Sequence, residues 1–155
     1  MIKKLKAITL METLVYVSIF GIFMLVLIQF FLSVQFSQDK IYKELELEMN
    51  QIFITNHFRE TVGENFSFEQ EDNTAVFSNE SQTLEYKISN GSLVLVEDGQ
   101  EKVLSNSKAL VTDFSMESVG HNLAVNLTVS LAHQGNENIT REFSNLIRVV
   151  NYEED

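Results

Sequence analysis

Residues 13–38 read TLVYVSIFGIFMLVLIQFFLSVQFSQ, a stretch of 26 residues without a charged side chain. As an α-helix this stretch is about 39 Å long, which exceeds the roughly 30 Å thickness of a bilayer hydrocarbon core. A cleaved secretory signal is the competing interpretation, but its apolar segment usually has only about 7–15 residues and ends at a small-residue cleavage site. We therefore predict a helix that stays in the membrane.

Three lysines, Lys3, Lys4 and Lys6, precede this stretch. Basic residues flank the cytoplasmic side of a membrane span, so we expect a single-pass protein of the cell membrane with a cytoplasmic N-terminus and an extracytoplasmic body. The formal net charge is −11, and removal of these three lysines makes it −14. Such an acidic body repels phosphate backbones, so we expect no nucleic acid to be bound directly by charge.

Glu12 is the anomaly at the start of the apolar segment, because it lies between Met11 and Thr13 with Leu10 and Leu14 close by. An ionised carboxylate costs roughly 2.5–3.5 kcal/mol at the centre of a bilayer and usually marks a functional pairing. The alternative is that Glu12 lies at the level of the lipid headgroups. The residues around it favour the first interpretation.

Residues 6–15 read KAITLMETLV. This stretch resembles the prepilin motif of type IV pilins and type II secretion pseudopilins, which has a basic leader, a small residue at the cut, Thr-Leu, a glutamate and then a long apolar helix. The chain departs from the usual motif at Ala7, where Gly is common, and at Ile8, where Phe is common. Within the family the chain is most similar to minor pilins and J-type minor pseudopilins.

The resemblance implies a leader of residues 1–7, cut by prepilin peptidase between Ala7 and Ile8. Ile8 would then be the N-methylated terminus, and Glu12 would pair with the Ile8 ammonium of a neighbouring subunit. The implied product is a type IV pilus-like or type II secretion filament. Its implied partners are other pilin or pseudopilin subunits, the peptidase, an inner-membrane assembly platform and membrane lipid. The alternative is a single-pass, membrane-anchored extracytoplasmic β-domain that binds a partner without polymerising.

The resemblance also divides the chain after the leader into a transmembrane or filament-core helix at 8–38, an amphipathic helix half at 39–62 and a β head at 63–155. In the amphipathic half, apolar residues recur at spacings of three and four, and charged residues form a wet side. A coiled-coil stalk is not favoured, because the repeat covers barely two heptads. The predicted apolar face contains Ile41, Leu45, Met49, Ile52 and Phe53, and the wet side contains Lys40, Lys43, Glu44, Glu46 and Glu48.

Beyond residue 63 the apolar residues alternate with a period of two, which predicts about seven antiparallel strands. Asn90-Gly91 and Asp98-Gly99 predict hairpin turns. We expect Leu110, Thr112, Phe114 and Met116 to share one face, Val125 to Leu131 to alternate, and 133–138 to form a loop. The predicted class is α+β: a pilin fold in which the long N-terminal helix packs on an antiparallel sheet.

No catalytic motif is present, neither a nucleophile elbow nor a His-Glu-x-x-His zinc motif nor a phosphate-binding loop. We interpret His57, His121 and His133 as ordinary surface or helix-end histidines. The acidic segment 69–73 lacks the spacing of a calcium loop. We predict no enzymatic activity, metal or cofactor, with a membrane-anchored enzyme as the open alternative. The sequence does not distinguish secretion, DNA uptake, adhesion and motility.

Overall fold

The computed structural model describes residues 10–62, 66–71, 74–120 and 124–149. Within them, one helix is followed by eight strands, which confirms the predicted α+β class. The elements in chain order are α1 (Leu10–Thr61), β1 (Ser67–Glu71), β2 (Thr74–Ser78), β3 (Thr83–Ser89), β4 (Ser92–Glu97), β5 (Gln100–Val103), β6 (Ala109–Val119), β7 (Ala124–His133) and β8 (Asn136–Arg148). The chain divides into two compact units, the first ending at Lys40 and the second beginning at Ile41.

The strands form two antiparallel sheets, whereas the alternating pattern had suggested one. The first sheet has the order β1-β2-β3-β4-β5, and the second has the order β6-β7-β8. Between β5 and β6 the side-chain oxygen of Asn106 accepts the N–H groups of Lys108 and Ala109, at 2.8 and 3.2 Å. This turn ends the first meander, and β6 then pairs with β7 in a new ladder.

Two hairpin turns confirm the Asn-Gly and Asp-Gly predictions. Asn90 and Gly91 have φ angles of 52° and 72°, and Asp98 and Gly99 have φ angles of 51° and 75°. Positive φ at both central residues defines the type I′ turn, whose twist matches that of antiparallel strands. The carbonyl of Gly91 also accepts the N–H of Val111 at 2.7 Å, so the first turn is tied to β6 of the other sheet.

The predicted core face of β6 was wrong at its first two positions. Ala109 and Val111 are buried, whereas Thr112 is exposed, because the β6–β7 register shifts between Val111 and Asp113. A bulge inserts one residue and reverses the alternation, so the buried positions after it include Phe114 and Met116. No bulge is readable from the apolar pattern, which places Leu110 and Thr112 in phase with Phe114.

The predicted loop at 133–138 is a tight hairpin instead. β7 continues to His133, β8 begins at Asn136, and only Gln134 and Gly135 connect them. The predicted alternation of β7 is confirmed, since Val125, Leu127, Val129 and Leu131 are completely buried.

The second half of α1 packs on the sheets through Leu47, Ile54 and Phe58, which join both sheets in one core cluster. The ring of Phe58 packs at a tilt against the buried rings of Tyr86 and Phe77, at centroid distances of 4.4 and 6.5 Å. The prediction of which helix face meets the sheet was wrong. The residues of the predicted face are exposed: Ile41, Leu45, Met49, Ile52 and Phe53.

Candidate functional site

The first half of α1 presents apolar side chains on every face. All residues from Leu10 to Lys40 are exposed within this chain. Among the described residues, α1 is the one helix that is long and apolar enough to cross a membrane. Glu12 lies in its first turn. The predicted cleavage residues Ala7 and Ile8 and the leader lysines Lys3, Lys4 and Lys6 lie outside the described residues.

The second half of α1 has two apolar faces. At 100° per residue, Leu47, Ile54 and Phe58 point about 180–220° away from Leu45 and meet the sheets. On the opposite side lies a set of residues that we call the outer stripe, with exposed fractions between 48% and 62%. The outer stripe consists of Ile41, Leu45, Met49, Ile52 and Phe53. It ends abruptly, because the next residues on this face are Asn56 and Arg59.

A groove borders the end of the outer stripe. It has a cavity of about 380 Å³ between α1 and the segment that follows β5. Met49, Phe53 and Val103 form its apolar rim, and Val103 is 59% exposed. Asn50 and Ser105, both buried, contribute polar groups to its lining. The exposed apolar surface therefore continues from the helix onto the sheet edge.

A polar clasp holds the buried side of α1 to the second sheet. Glu46 accepts a hydrogen bond from Nε2 of His133 at 2.9 Å through Oε2, and it forms an ion pair with Lys108 through Oε1. The N–H of Gly135 donates to Nδ1 of His133 at 3.0 Å. Because Nδ1 accepts, the ring proton is on Nε2, and His133 is held in one tautomer.

This clasp changes the charge properties of Glu46. The Lys108 ammonium, and after it the His133 ring, hold the pKa of Glu46 below its ordinary value of 4.5. One prediction was wrong, because His133 is not in a surface loop and only 7% of it is exposed. Glu46 remains partly exposed, as predicted, but its carboxylate also contacts the second sheet. The partners are 87 residues apart in sequence, and no local pattern relates them.

Further polar contacts fix the rotation of the helix about its axis. The buried side chain of Asn50 donates to the carbonyl of Glu46 and accepts the N–H of Asn106, both at 2.9 Å. The Arg141 guanidinium on β8 donates to Gln51 and lies 3.7 Å from a carboxylate oxygen of Glu48. Rotating the helix to bury the outer stripe would break these contacts and leave buried polar groups unsatisfied.

His57 is a partly buried residue near the end of α1, as predicted, and its ring also contacts the aromatic core. Its Nε2 lies 3.2 Å from the hydroxyl of Tyr86, and its Nδ1 lies 3.4 Å from that of Thr61. Burial lowers the pKa of His57, and the charge of Lys102 lowers it further. Burial also raises the pKa of Tyr86, so this contact is a neutral structural hydrogen bond. His121 lies outside the described residues.

Within the described part of the chain, no group of three or more His, Asp or Glu side chains is arranged to hold a metal ion. In the acidic segment 69–73, Asp72 and Asn73 lie outside that part, and Glu69 and Glu71 belong to β1. Comparisons of the chain with models of protein families, with curated proteins and with solved structures find no match. The most prominent feature is thus exposed apolar helix surface, which is suited to binding lipid or another helix.

Proposed function

We propose that this chain is a minor pilin or pseudopilin, a structural subunit that assembles through its N-terminal helix into a type IV pilus-like or type II secretion filament. One observation carries the proposal. The helix Leu10–Thr61 has a carboxylate in its first turn, directly before the uncharged apolar stretch 13–38, and its second half is part of an antiparallel β head. This combination supports a helix that leaves the membrane to pack against other helices.

Cleavage between Ala7 and Ile8 would explain why a carboxylate, Glu12, is present at the start of an apolar helix. Removal of the leader creates an ammonium at Ile8, which is as costly in an apolar surrounding as the carboxylate of Glu12. A Glu12–Ile8 pair between neighbouring subunits lets each charge offset the other. The pair also selects one offset between neighbouring helices along their axes, because any other offset leaves both charges unpaired.

The proposal includes several partners. Prepilin peptidase removes residues 1–7 at the cytoplasmic face, membrane lipid surrounds the helix before assembly, and an inner-membrane platform inserts the subunit beside other pilins or pseudopilins. The head has a structural role without catalysis or a cofactor. Genes neighbouring this one would identify the system, since secretion, DNA uptake, adhesion and motility filaments have different operons.

The mass of the mature chain tests the proposal. We expect intact-mass spectrometry of protein extracted from native membranes to show loss of residues 1–7 and addition of one methyl group at Ile8. The matched control is Ala7→Leu, which enlarges the residue at the cut and should retain the leader. A native chain that begins at Met1 would favour the single-pass, non-polymerising alternative, and a chain that begins beyond residue 30 would show that the helix is a signal peptide.

A further inference from the structure

The turn between β3 and β4 contains a chemically reactive pair of residues. Asn90 and Gly91 are its central residues, and they form the one Asn-Gly pair in the sequence. Asn90 is exposed to solvent. A backbone nitrogen can attack the side-chain amide of the asparagine before it, and glycine hinders this approach least because it has no side chain. The turn therefore carries a reactive group that the proposed function does not use.

The reaction is a ring closure followed by hydrolysis. The nitrogen of Gly91 loses its proton to solvent base and attacks Cγ of Asn90. A nitrogen–Cγ bond forms, the Cγ–Nδ2 bond breaks, and the side-chain nitrogen takes up a proton from water and leaves as ammonia. Water then opens the resulting succinimide ring at one of its two carbonyls. Opening at Cγ gives aspartate, and opening at the backbone carbonyl gives isoaspartate, in which the main chain runs through Cβ and Cγ.

The closed turn does not permit this attack. Asn90 has a φ angle of 52°, which is the left-handed conformation. A left-handed residue has a ψ angle of about 47°, which turns the following nitrogen to the side of the Cα–C bond opposite Cβ. The nitrogen of Gly91 is thus kept away from Cγ of Asn90. Ring closure therefore requires the turn to open locally so that Asn90 can leave this conformation.

Contacts with β6 hold the turn closed. The carbonyl of Gly91 accepts the N–H of Val111 at 2.7 Å. A Cβ atom at Gly91 would lie 3.1 Å from Cδ2 of Leu110, so the Leu110 side chain packs directly over the turn. The corresponding position at Gly99, in the other type I′ turn, has no such neighbour within 4 Å. The junction between the two sheets thus controls how often the turn at Asn90 opens.

We propose that Asn90 is a self-modification site, which converts to aspartate and isoaspartate with water as the co-reactant, at a rate set by the contact of its turn with β6. The aspartate product keeps the turn, because Asp98-Gly99 adopts the same pair of positive φ angles. The isoaspartate product has an additional backbone atom, which disrupts the pairing of Ser89 with Ser92. Each conversion to isoaspartate therefore weakens the junction between the sheets, whether or not the chain assembles into a filament.

Peptide mapping of the full-length protein, purified in detergent and stored at mildly alkaline pH, tests the proposal. Cleavage after Lys87 and Lys102 releases residues 88–102, in which Asn90 is the one asparagine. We expect this peptide to exchange an amide for a carboxylate during storage, with isoaspartate identified by electron-transfer fragmentation. The same peptide from protein stored in urea should convert several-fold faster, because the turn is then open. The internal control is the peptide 109–141, which has asparagines but no Asn-Gly pair.

Leu110→Ala tests the control by β6 without changing the reactive pair. This variant removes the packing over the turn, so the folded protein should convert several-fold faster, whereas the rate in urea should be unchanged. The matched control is Leu146→Ala, which removes the same side chain from a 63% exposed position on β8 and should convert at the wild-type rate. Cooperative thermal unfolding of both variants would show that they fold.

The two products are compared through stability. Asn90→Asp reproduces the aspartate product, so it should unfold at the same temperature as the fresh wild-type protein. Stored protein that is rich in isoaspartate should unfold at a lower temperature.

Three results would overturn the inference. The first is conversion of Asn90 in the folded protein no faster than that of the asparagines in the peptide 109–141. The second is an equal rate in folded and urea-unfolded protein, which would show that the turn does not restrain the reaction. The third is a wild-type rate in folded Leu110→Ala, which would show that β6 does not control it.

Discussion

The two halves of α1 differ in what covers their apolar residues. From Leu10 to Lys40 every side chain is exposed, and the apolar residues surround the helix axis. From Ile41 to Thr61 one face is buried against two sheets, while the outer stripe on the other face is exposed. The first half thus needs an apolar surrounding on all sides, and the second half needs one on a single side.

This difference shows how one helix can serve two environments. A helix that is apolar all round is suited to lipid or to a bundle of similar helices. A helix with one face in a β head and a second apolar face outside can join such a bundle without giving up its own core.

The largest expected effect comes from removing the second half of α1. A fragment that begins at Ser37 should be soluble and unfold cooperatively, because it keeps the buried residues Leu47, Ile54 and Phe58. It should remain monomeric, because it lacks almost all of the exposed apolar stretch 13–38. A fragment that begins at Asn65 should aggregate, since the inner sheet faces are then exposed. Circular dichroism during urea unfolding, with sedimentation, measures both.

Equal solubility and cooperativity of the two fragments would mean that the helix is not part of the core. Dimerisation of the longer fragment would mean that two outer stripes pair directly. Either result would contradict the distinction between the buried face of α1 and its exposed outer stripe.

Two phenylalanines five residues apart lie on different faces of α1, one on the buried face and one on the outer stripe, so their substitution compares the two faces directly. Phe58 is completely buried, so Phe58→Ala should lower the free energy of unfolding by about 3–5 kcal/mol through lost burial and cavity formation. Phe53 is 53% exposed, so Phe53→Ala should have a much smaller effect on the isolated subunit. Urea unfolding of both variants in the fragment beginning at Ser37 checks this. Equal losses would contradict the assignment of the faces.

Substitutions of Glu12 test the role of the first half of α1 in assembly. Glu12→Gln and Glu12→Leu should both insert into the membrane, and Leu should insert more readily because a charge leaves the apolar span. Both should impair filament incorporation, because an Ile8 ammonium loses its partner, at a cost of about 3–5 kcal/mol for a buried pair. Gln29→Leu, which removes a polar but uncharged group, is the control and should assemble normally.

Blots of sheared filament and membrane fractions would measure both effects. Normal incorporation of both Glu12 variants would instead place Glu12 at the headgroup level. Assembly would then depend only on the apolar character of the first half of α1.

The smallest expected effect concerns the clasp between α1 and the second sheet. The pKa of Glu46 is lowered in the folded state, so the unfolded state binds more protons as the pH falls below 4.5. The stabilisation from Glu46 is therefore present above pH 4.5 and disappears as the pH falls through the folded-state pKa. Glu46→Gln should flatten this part of the stability profile, as measured by thermal unfolding between pH 3 and pH 7. An unchanged slope would show that the clasp does not contribute.

Local sequence patterns were sufficient for several features. The absence of charge over residues 13–38 requires an apolar surrounding for that helix wherever it lies. Asn90-Gly91 and Asp98-Gly99 form their turns because both residues adopt positive φ readily. The alternation of Val125 to Leu131 matches the pleat of a strand with one buried face. Each of these depends on residues that are neighbours in sequence.

Other features were decided only when distant segments met. The helix pattern contains two apolar faces, and the sheets selected the one with Phe58 because that face also brings Asn50 to Asn106 and Glu46 to His133. The bulge near Thr112 and the split into two sheets likewise follow from pairing between strands. A periodic pattern specifies that a face is apolar, but whether that face is buried depends on which surface reaches it, and that surface is formed by residues far away along the chain.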